Sequence, residues 1–470
     1  MASLEELVSH HRAPVAVDPS EIASQLGEAR FVVIDDDPTG SQSVSDLPVL
    51  TRWSVADFRW AFSTGAVAVY IIANTRALDP DDAGRVNTEI VTAALEAGQA
   101  EGVRVSFISR SDSTLRGHYP LEPDTIANLV ENERSVDGIV IVPAFPDAGR
   151  ITVDSVHYAT RDGEYTPVGQ TEFAADKTFG YTSSNLVEWV AEKTGGRDSA
   201  SRVLTVRLED LRGNLDGVIA TLSAARDRQP IVCDAVVEDD LRRLALALIA
   251  AEEAGATFVY RVGPTFVRAR IGQDTPEPVT RELAARQRTG EHAAGGLVVV
   301  GSHVALTTSQ LEELVSRHDA TFVDIDVASL LGEGRRAAIE DVVDRACSEL
   351  DQGDVILATS RTLVTGNTPE ESLAISRAVS GAVVEIVSGI VSRVRPSFII
   401  TKGGITSSDV AATALEMSRA WVVGPMLPGL ISMWRAETGP AQGIPYVVFP
   451  GNVGTASSLA DVASKLKGIS

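Results

Sequence analysis

The stretch FVVIDDDPTG, from Phe31 to Gly40, places an apolar run directly before three consecutive aspartates. Its first four residues, Phe31 to Ile34, have the composition of a buried strand. Asp35, Asp36 and Asp37 follow at the point where that strand leaves the core. Carboxylates this close together repel one another unless a cation or a proton-bearing ligand lies among them. The stretch therefore predicts a core strand whose carboxyl end forms part of a binding site.

Short apolar runs of the same kind recur along the chain and alternate with amphipathic segments. Several of them, such as AVAVYIIAN from Ala66 and GIVIVPAF from Gly138, are apolar on both faces, as strands covered by helices on both sides are. The polar stretch Arg268–Gly296 interrupts the series, which then resumes with GLVVVGS. This pattern predicts two α/β domains with mainly parallel sheets. Their predicted bounds are residues 1–265 and 295–470, with a linker over residues 266–294.

The overall composition limits the classes of function. The chain has 470 residues, a formal net charge of −23 and a pI near 4.7, which argues against a nucleic-acid or anionic-membrane surface. Its two cysteines, Cys233 and Cys347, lie too far apart to suggest a zinc site or a disulfide framework, and they fit a reducing cytoplasm. No apolar run is expected to reach the roughly 18–20 residues that cross a bilayer. We therefore expect a soluble cytoplasmic protein without a nucleic-acid or membrane partner.

Four predicted strands of the first domain end in the polar sequences DDPTG, NTR, RSDSTLRG and FPDAGR. Because the carboxyl ends of strands in an open α/β sheet meet at one edge, these residues are expected to line one cleft. Arginines bind carboxylates or phosphates and Asp, Ser and Thr bind hydroxyls, so the cleft suits a polyhydroxy acid. Each motif alone would also fit an ordinary turn or helix cap. The candidate substrate-binding residues are Asp36, Asp37, Arg76, Arg110, Ser111, Asp112, Ser113, Thr114 and Arg150, and the candidate general base is Asp112 or Asp36.

In the second domain, three predicted strands run through glycine turns into helices. Glycine lets backbone amides approach a phosphate and a helix N-terminus favours negative charge, so three such turns favour a nucleotide site over isolated tight turns. The sequence lacks GxxxxGK[ST], which excludes a P-loop enzyme. Asp324 and Asp326 are explained as strand-end residues, and no metal-ligating side chain is predicted. The candidate nucleotide-binding residues are Ser302, Gly403, Gly404, Thr406, Gly451, Asn452, Val453 and Gly454.

Taken together, these motifs resemble those of the four-carbon acid sugar kinases over nearly the whole chain. The matching segments are Asp36–Gly40, Arg110–Gly117, Pro143–Arg150, Gly301-Ser302, Lys402–Thr406 and Pro450–Gly454. The resemblance implies an N-terminal acid-sugar domain, a C-terminal ATP domain and an active site in the interdomain cleft. There, phosphate would pass from ATP to a terminal hydroxyl while Mg²⁺ bridges the phosphates. Threonate and erythronate are the default substrates, with a 3-oxo-tetronate or a branched acid such as 3-oxo-isoapionate as alternatives.

Two other functions are left as alternatives. A metal-dependent lyase would use the aspartate cluster directly, but it would leave the glycine turns of the second domain without a role. A non-catalytic sugar-acid sensor would need a partner-binding or DNA-binding segment, which the charge balance does not offer. The oligomeric state is open, with a homodimer among the alternatives.

Overall fold

The computed structural model describes residues 2–37, 39–161, 163–360, 364 and 368–468, with the backbone alone for residues 369, 370 and 373. The chain divides into two compact units, Met1–Val44 with Trp53–Thr275, and Ser45–Arg52 with Pro276–Ser470. Strands alternate with helices in both units, and most strands pair in parallel. The predicted fold class, two α/β domains with mainly parallel sheets, is therefore confirmed.

The elements of the described residues are numbered in chain order. The strands are β1 Arg30–Asp35, β2 Leu47–Leu50, β3 Ala68–Ile72, β4 Val105–Arg110, β5 Gly138–Val142, β6 Arg150–Val153, β7 Val156–Arg161, β8 Glu164–Pro167, β9 Leu204–Val206, β10 Gln229–Cys233, β11 Phe258–Val262, β12 Leu297–Val300, β13 Ala320–Ile325, β14 Asp354–Thr359, β15 Ile399–Lys402, β16 Arg419–Pro425, β17 Ser432–Ala436 and β18 Pro445–Phe449. The α-helices are α1 Leu4–Val8, α2 Pro19–Ala23, α3 Val55–Ser63, α4 Pro80–Glu101, α5 Leu121–Val130, α6 Leu186–Lys193, α7 Leu208–Leu211, α8 Asp216–Ala224, α9 Glu238–Glu253, α10 Pro264–Arg270, α11 Arg281–Arg286, α12 Ala305–Arg317, α13 Val327–Leu331, α14 Arg335–Leu350, α15 Pro369–Val391, α16 Gly404–Asp409 and α17 Ser458–Lys467.

The main sheet of the first unit is parallel throughout. Its strands lie in the order β3-β1-β4-β11-β5-β10-β9. Every residue of β3, β5 and β11 is buried, which explains their continuous apolar sequences, because strands covered on both faces need no polar side. Since β1 lies between β3 and β4, the loops that follow these three strands are neighbours at the carboxyl edge of the sheet.

Helix α4 shows how the local sequence fixes the elements that frame this edge. Pro80 occupies its first turn, and the side chain of Asp79 accepts a hydrogen bond from the N–H of Asp82. The helix ends at Gly102, whose φ of +69° lies in the left-handed region that favours glycine. The buried side of α4 packs against α3 and α5. The chain then enters β4, which leads directly to Arg110.

A second, antiparallel sheet in the first unit consists of β6, β7 and β8. It carries Arg150 at the start of β6 and His157 on β7. The sequence pattern does not predict these strands, because they form no continuous apolar run. Burial instead alternates along β7, as expected for a sheet with one covered face.

The sheet of the second unit combines a parallel part with an antiparallel part. Strands β13, β14, β12, β15 and β18 are parallel neighbours, and β17, β16 and β2 continue the sheet in antiparallel pairs. Strands β12, β15 and β18 are therefore adjacent, and their carboxyl ends lie side by side. Each of these three strands is fully buried.

The boundary of the second unit differs from the predicted one in a short N-terminal segment. Residues 45–52 lie within the predicted first domain, yet β2 pairs with β16 and belongs to the second unit. The hydroxyl of Thr51 extends this pairing by donating to the carbonyl of Met417 at 2.6 Å. The buried sequence LPVL needs an edge to pair with, and β16 supplies that edge. Sequence order alone does not reveal such an exchange.

Residues 266–294, predicted as a linker, are instead divided between the two compact units. The first residues of this segment belong to α10, which is buried throughout in the first unit. The polar appearance comes from arginines that are buried with acidic partners. Arg268 binds Glu238 and Asp147, and Arg270 binds Glu252. The remaining residues include α11, which lies in the second unit.

Helix α15 is the longest apolar helix of the second unit. Its window Ala374–Val391 spans 18 residues with a mean hydropathy of 1.6, so by length and composition it could cross a membrane, contrary to the expectation that no segment would. One such helix is weak evidence, because core helices of globular proteins have the same composition. Residues Ala382, Ile386, Val387 and Ile390 of α15 are fully buried within the unit.

Candidate functional site

The aspartates that follow β1 are paired with arginines from the two neighbouring strands. Arg76, in the turn after β3, donates from Nε and Nη2 to the two carboxylate oxygens of Asp36, at 3.1 and 2.5 Å. Its Nη1 donates to Asp37 at 3.1 Å. Arg110, the last residue of β4, donates from Nη1 to Asp35 at 2.7 Å. The cations that lie among the three carboxylates are therefore arginines of the chain itself.

Asp35 is the most deeply buried member of this cluster. It is fully buried, and its Oδ2 accepts no hydrogen bond from the described residues. Burial raises the pKa of Asp35 to about 8, against the opposing charge of Arg110 and with the help of negative Asp36. A Cβ at Gly40 would lie 1.7 Å from Asp35 Oδ2, so the turn requires glycine there. Pro38, within the same turn, lies outside the described residues.

The loop after β4 holds Asp112 in its ionised form. Oδ2 of Asp112 accepts hydrogen bonds from Arg116 Nε at 2.7 Å and from the hydroxyl of Thr114. Oδ1 accepts none from the described residues. Although burial acts to raise it, Arg76, Arg116 and these hydrogen bonds hold the pKa of Asp112 below its usual value. Asp112 is thus a carboxylate at neutral pH with one oxygen available to a ligand.

The hydroxyl residues of this loop are buried, and their backbone is held in place from the second sheet and its flanking segments. Burial lowers the pKa of His157 to about 4, so its ring is neutral and Nε2 donates to the carbonyl of Ser113 at 2.7 Å. The hydroxyl of Tyr181 donates to the carbonyl of Thr114 at 2.7 Å. The hydroxyl of Ser111 lies 3.3 Å from that of a second buried serine on β4. The loop is therefore fixed before any ligand binds.

Arg150, at the start of β6, differs from the other predicted arginines. Its Nη1 donates to the carbonyl of Ala148 at 2.6 Å, and among the described residues it forms no ion pair. It begins the strand that pairs with β7, whose His157 contacts the carbonyl of Ser113 in the Asp112 loop, and burial holds the pKa of Arg150 below its usual value against the opposing charge of Asp112. A guanidinium stays charged at neutral pH even so. Arg150 is therefore the predicted arginine best suited to bind an anionic ligand.

The glycine loops of the second unit follow the adjacent strands β12, β15 and β18. The N–H of Gly301 donates to the carbonyl of Lys402 at 3.1 Å, and the N–H of Gly403 donates to the carbonyl of Phe449 at 2.8 Å. These bonds join the loops after β12 and β15 to the end of the neighbouring strand in the sheet. Gly403 has a φ of +128°, a conformation that favours glycine strongly. Gly404 then begins α16.

Side chains occupy the space beside these glycines. A Cβ at Gly301 would lie 2.2 Å from the hydroxyl oxygen of Thr406, and a Cβ at Gly451 would lie 2.7 Å from that of Ser302. At Gly454 the φ is +83°, and a Cβ would lie 2.5 Å from the hydroxyl of a serine in α17. The loops thus bring backbone and hydroxyl groups together with no room for larger residues. Ser302 and Thr406, both predicted, lie at this junction.

The loop after β18 is held by side chains of α12. Thr307 donates to the carbonyl of Gly451 at 3.0 Å, and Gln310 donates to the carbonyl of Val453 at 3.0 Å. Asn452, in contrast, is exposed. Helix α12 itself has 13 residues and its first turn has no side-chain cap. The positive end of this helix therefore faces the same loops without a competing acceptor from its cap residue.

A cavity of about 310 Å³ adjoins the glycine loops. Its lining includes Gly301 and Thr406 from the loops, His303, Thr359, and the apolar side chains of Ile405 and Val383. This volume is at the lower end of the range for small-molecule sites, roughly 300–1,000 Å³. The mixture of apolar surface and hydroxyls suits a flat heterocycle with polar edges.

Comparison with known proteins places both halves of the chain in one family. Residues 31–270 match a family model described as a sugar-binding N-terminal domain, and residues 297–459 match one described as a nucleotide-binding C-terminal domain. The chain belongs to the four-carbon acid sugar kinase family. The resemblance identified from the sequence motifs is therefore confirmed.

Two relatives and one solved structure are similar to this member of the four-carbon acid sugar kinase family. A D-threonate kinase of Salmonella typhimurium is 30% identical over 337 residues, which cover 71% of this chain and 72% of that protein. A D-erythronate kinase of Heliobacterium modesticaldum is 28% identical over 340 residues, 70% of each chain. The Haemophilus influenzae protein HI1011 matches with a TM-score of 0.64 at 18% identity, over 93% of this chain and 99% of that one. The last comparison shows a shared fold.

In this four-carbon acid sugar kinase family member, Glu122 is a site residue that the sequence reasoning missed. It is buried on α5, where its oxygens accept from the hydroxyls of Thr75 at 2.5 Å and Ser109 at 3.5 Å. Burial raises the pKa of Glu122 to about 7. Its two partners immediately precede Arg76 and Arg110, so Glu122 braces both arginine positions. No local signal distinguishes it from an ordinary acid in the first turn of a helix.

Arg261, on β11, was missed as well. It is 1% exposed, and its Nη2 lies 3.3 Å from both the carbonyl of Asp112 and the carbonyl of Arg116. Its guanidinium also lies over the ring of Trp189, 5.4 Å from the centroid. Arg261 therefore holds the backbone of the Asp112 loop through these two carbonyls. An arginine in the middle of the apolar run FVYRVG was the signal that could have found it.

Proposed function

We propose that the chain is an ATP-dependent kinase that phosphorylates the terminal hydroxyl of a four-carbon acid sugar. The observation that carries this proposal is that Arg150 and Asp112, two predicted residues of the first unit that form no ion pair with each other, each keep a group for a ligand. One is a cation without a carboxylate partner among the described residues, and the other is a carboxylate with an open oxygen. An acid sugar offers a carboxylate to the first and a hydroxyl to the second. The names of the D-threonate and D-erythronate kinases support the same substrate class.

Within this proposal, Arg150 binds the carboxylate of the substrate. Arg76 and Arg110 are the other predicted arginines, but the guanidinium groups of both already contact the aspartates after β1. Binding a substrate carboxylate there would require breaking those pairs. Arg150 needs no such exchange, and a guanidinium can bind a carboxylate with two parallel hydrogen bonds. Ser111, Ser113 and Thr114 supply the hydrogen-bonding and backbone frame around the sugar.

Asp112 is the better candidate for the group that accepts the proton of the attacking hydroxyl. Both oxygens of Asp36 are bound by Arg76, and its side chain is 2% exposed. Asp112 keeps Oδ1 for a ligand. Its lowered pKa keeps it ionised, as an acceptor for a hydroxyl proton must be. Asp36 and Asp37 then act as positioning residues through Arg76.

The proposed ATP site is the junction of the three glycine loops in the second unit. Gly404 and the Gly451–Gly454 loop would bind the phosphates through backbone N–H groups, Gly403 would let the chain turn beside them, and Ser302 and Thr406 would add hydroxyls. The uncapped N-terminus of α12 favours negative charge at the same place. The adjoining cavity would take the base. Transfer then requires that the terminal phosphate reach the hydroxyl held beside Asp112.

Magnesium would accompany the nucleotide in this proposal. Among the described residues, no group of three or more His, Cys, Asp or Glu side chains is arranged to hold a metal ion. The donors around the glycine loops are hydroxyls and backbone groups, which suit phosphate oxygens. Mg²⁺ commonly keeps several waters and binds through substrate phosphates with few protein ligands, so this donor set fits an ion that arrives with ATP. When bound, it would neutralise charge that develops on the phosphates.

An ADP-release assay with a panel of acid sugars tests the proposal. The panel contains D-threonate, D-erythronate, their L-isomers, a 3-oxo-tetronate and a branched acid such as 3-oxo-isoapionate. Erythritol, which has the hydroxyls but no carboxylate, is the matched control. We expect turnover with at least one acid, none with erythritol, and loss of turnover when a chelator removes Mg²⁺. Binding of both ATP and an acid without turnover would favour a non-catalytic sensor instead.

A further inference from the structure

Lys402 is a buried lysine to which the proposed phosphate contacts assign no role. It is the last residue of β15, is 0% exposed, and in the described part of the chain forms no ion pair. Its Nζ donates to the carbonyls of Pro450 at 2.5 Å and Gly451 at 3.2 Å. The ammonium also lies 4.0 Å from the centroid of the Phe449 ring. Two carbonyl oxygens and a ring face are little compensation for a buried positive charge.

The position of Lys402 connects all three glycine loops. Its backbone carbonyl accepts the N–H of Gly301, and its side chain holds the start of the loop after β18. Its own loop continues into Gly403. The carbonyl of Gly451 is shared with the hydroxyl of Thr307, which donates at 3.0 Å. A change in the charge of Lys402 would therefore be felt at every loop of the proposed phosphate site.

The surroundings of Lys402 are otherwise uncharged. Its register neighbours are Val300 on β12 and Phe449 on β18, and the groups that it contacts on the loop after β18 are carbonyls. Burial lowers the pKa of Lys402 to about 7, and no charged side chain of the described residues contributes to that change. The amine is thus only partly protonated near neutral pH. An anion nearby would favour the protonated form.

We propose that Lys402 is the positioning residue that charges when nucleotide binds: the phosphates at the glycine loops draw one proton onto its amine. The proton comes from solvent, and no bond of the nucleotide changes. The ammonium then holds the carbonyls of Pro450 and Gly451 more strongly and offsets part of the phosphate charge. This inference rests on the proposed nucleotide site and adds a coupling between ATP affinity and pH.

Isothermal titration calorimetry with Mg²⁺–ATP at pH 8 measures this proton directly. The titration is repeated in two buffers with different ionisation enthalpies, since the difference in heat gives the protons taken up. At this pH the phosphates of the nucleotide are themselves ionised. We expect uptake of up to ~0.9 proton by the wild-type protein, because a group with a pKa near 7 is about one-tenth protonated at pH 8.

Two variants assign the proton. Lys402→Met should abolish the uptake and weaken ATP binding by at least about tenfold. Lys465→Met is the matched control, because Lys465 is also a part-buried lysine of the second unit that donates to a backbone carbonyl, at 2.7 Å, but it lies on α17 away from the loops. Its uptake should equal that of the wild type.

The outcomes separate this inference from the function on which it rests. We expect uptake of up to ~0.9 proton at pH 8. If the wild-type protein binds ATP but takes up less than about 0.2 proton, the role of Lys402 is overturned and the nucleotide site stays intact. Equal uptake in Lys402→Met and wild type would do the same. No ATP binding at all would remove both the site and this inference.

Discussion

The contact between Gly301 and Thr406 offers a sharp test of the nucleotide site. Gly301→Ala would place a Cβ 2.2 Å from the hydroxyl oxygen of Thr406 and 3.2 Å from its Cβ and Cγ2. Since non-bonded atoms need about 3.5 Å, the two loops must separate by roughly 1 Å. Overpacking of this kind costs about 1–3 kcal/mol. If the closed loops bind the phosphates, ATP affinity should fall by about 5- to 150-fold.

Calorimetric titration with ATP measures this loss, and Gly353→Ala is the matched control. Gly353 lies in the same unit, in the turn before β14, and a Cβ there would meet nothing within 4 Å. Binding of an acid sugar to the first unit should be unchanged in both variants. ATP binding by Gly301→Ala at wild-type affinity would refute the reasoning, as would an equal loss in Gly353→Ala.

A double variant tests whether the steric contact itself is the cause. Thr406→Ala removes the hydroxyl oxygen and Cγ2, so the shortest contact of the new Cβ becomes the 3.2 Å to the Cβ of residue 406. Gly301→Ala should therefore weaken ATP binding much less in the Thr406→Ala background than in the wild type. Equal losses in the two backgrounds would mean that another feature of residue 301 carries the effect.

The remaining predictions concern the first unit. Arg150→Ala should raise KM for the acid sugar by about 10- to 100-fold with a smaller change in kcat, because a charge-assisted hydrogen bond contributes about 1.5–3 kcal/mol, and steady-state kinetics would show this; an unchanged KM would move the carboxylate site elsewhere. Asp112→Asn should lower kcat by a factor of about 10² or more, whereas Asp36→Asn should raise KM more than it lowers kcat, and reversed phenotypes would exchange the two roles. Burial raises the folded-state pKa of Asp35 to about 8, above its unfolded value of about 4. Between about pH 4 and pH 8 the folded state therefore holds a proton that the unfolded state has lost, so the free energy of unfolding falls as the pH rises. The stability of the wild type relative to Asp35→Asn should therefore fall by up to about 1.4 kcal/mol per pH unit over that range, measured as thermal unfolding at pH 5 and pH 8. A constant difference would mean that Asp35 is ionised beside Arg110 in the folded state.

The fold class could be predicted because its signal is local. Runs such as FVVID and GIVIVPAF are apolar on both faces, and only strands covered on both sides need that composition. Pairing between distant segments has no such signal. Strand β2 belongs to the second unit because it pairs with β16, which begins at Arg419, far along the chain. Helix α10 resembled a polar linker because its arginines are charged, and their acidic partners, such as Glu238 for Arg268, are apparent only in the structure.

The candidate site was predictable as a set of strand ends, but its internal pairing was not. From the sequence, Arg76 and Arg110 were expected to be available to the substrate carboxylate. In the structure, Arg76 binds Asp36 and Arg110 binds Asp35, and no local signal in the sequence indicates these two contacts. Glu122 joins the site through hydroxyls on two other elements, which a linear pattern cannot reveal. Lys402 was visible in the motif, yet its role depends on burial.

Analysis of the product by ³¹P nuclear magnetic resonance tests the central proposal most directly. Wild-type protein would be incubated with Mg²⁺–ATP and each acid of the panel, and proton coupling would identify the carbon that bears the new phosphate. We predict equal amounts of ADP and a phosphomonoester on the terminal carbon of a four-carbon acid sugar, and no new phosphomonoester with erythritol. If ATP and the acids bind but no phosphomonoester forms with any of them, the proposal that this chain is an acid-sugar kinase is contradicted.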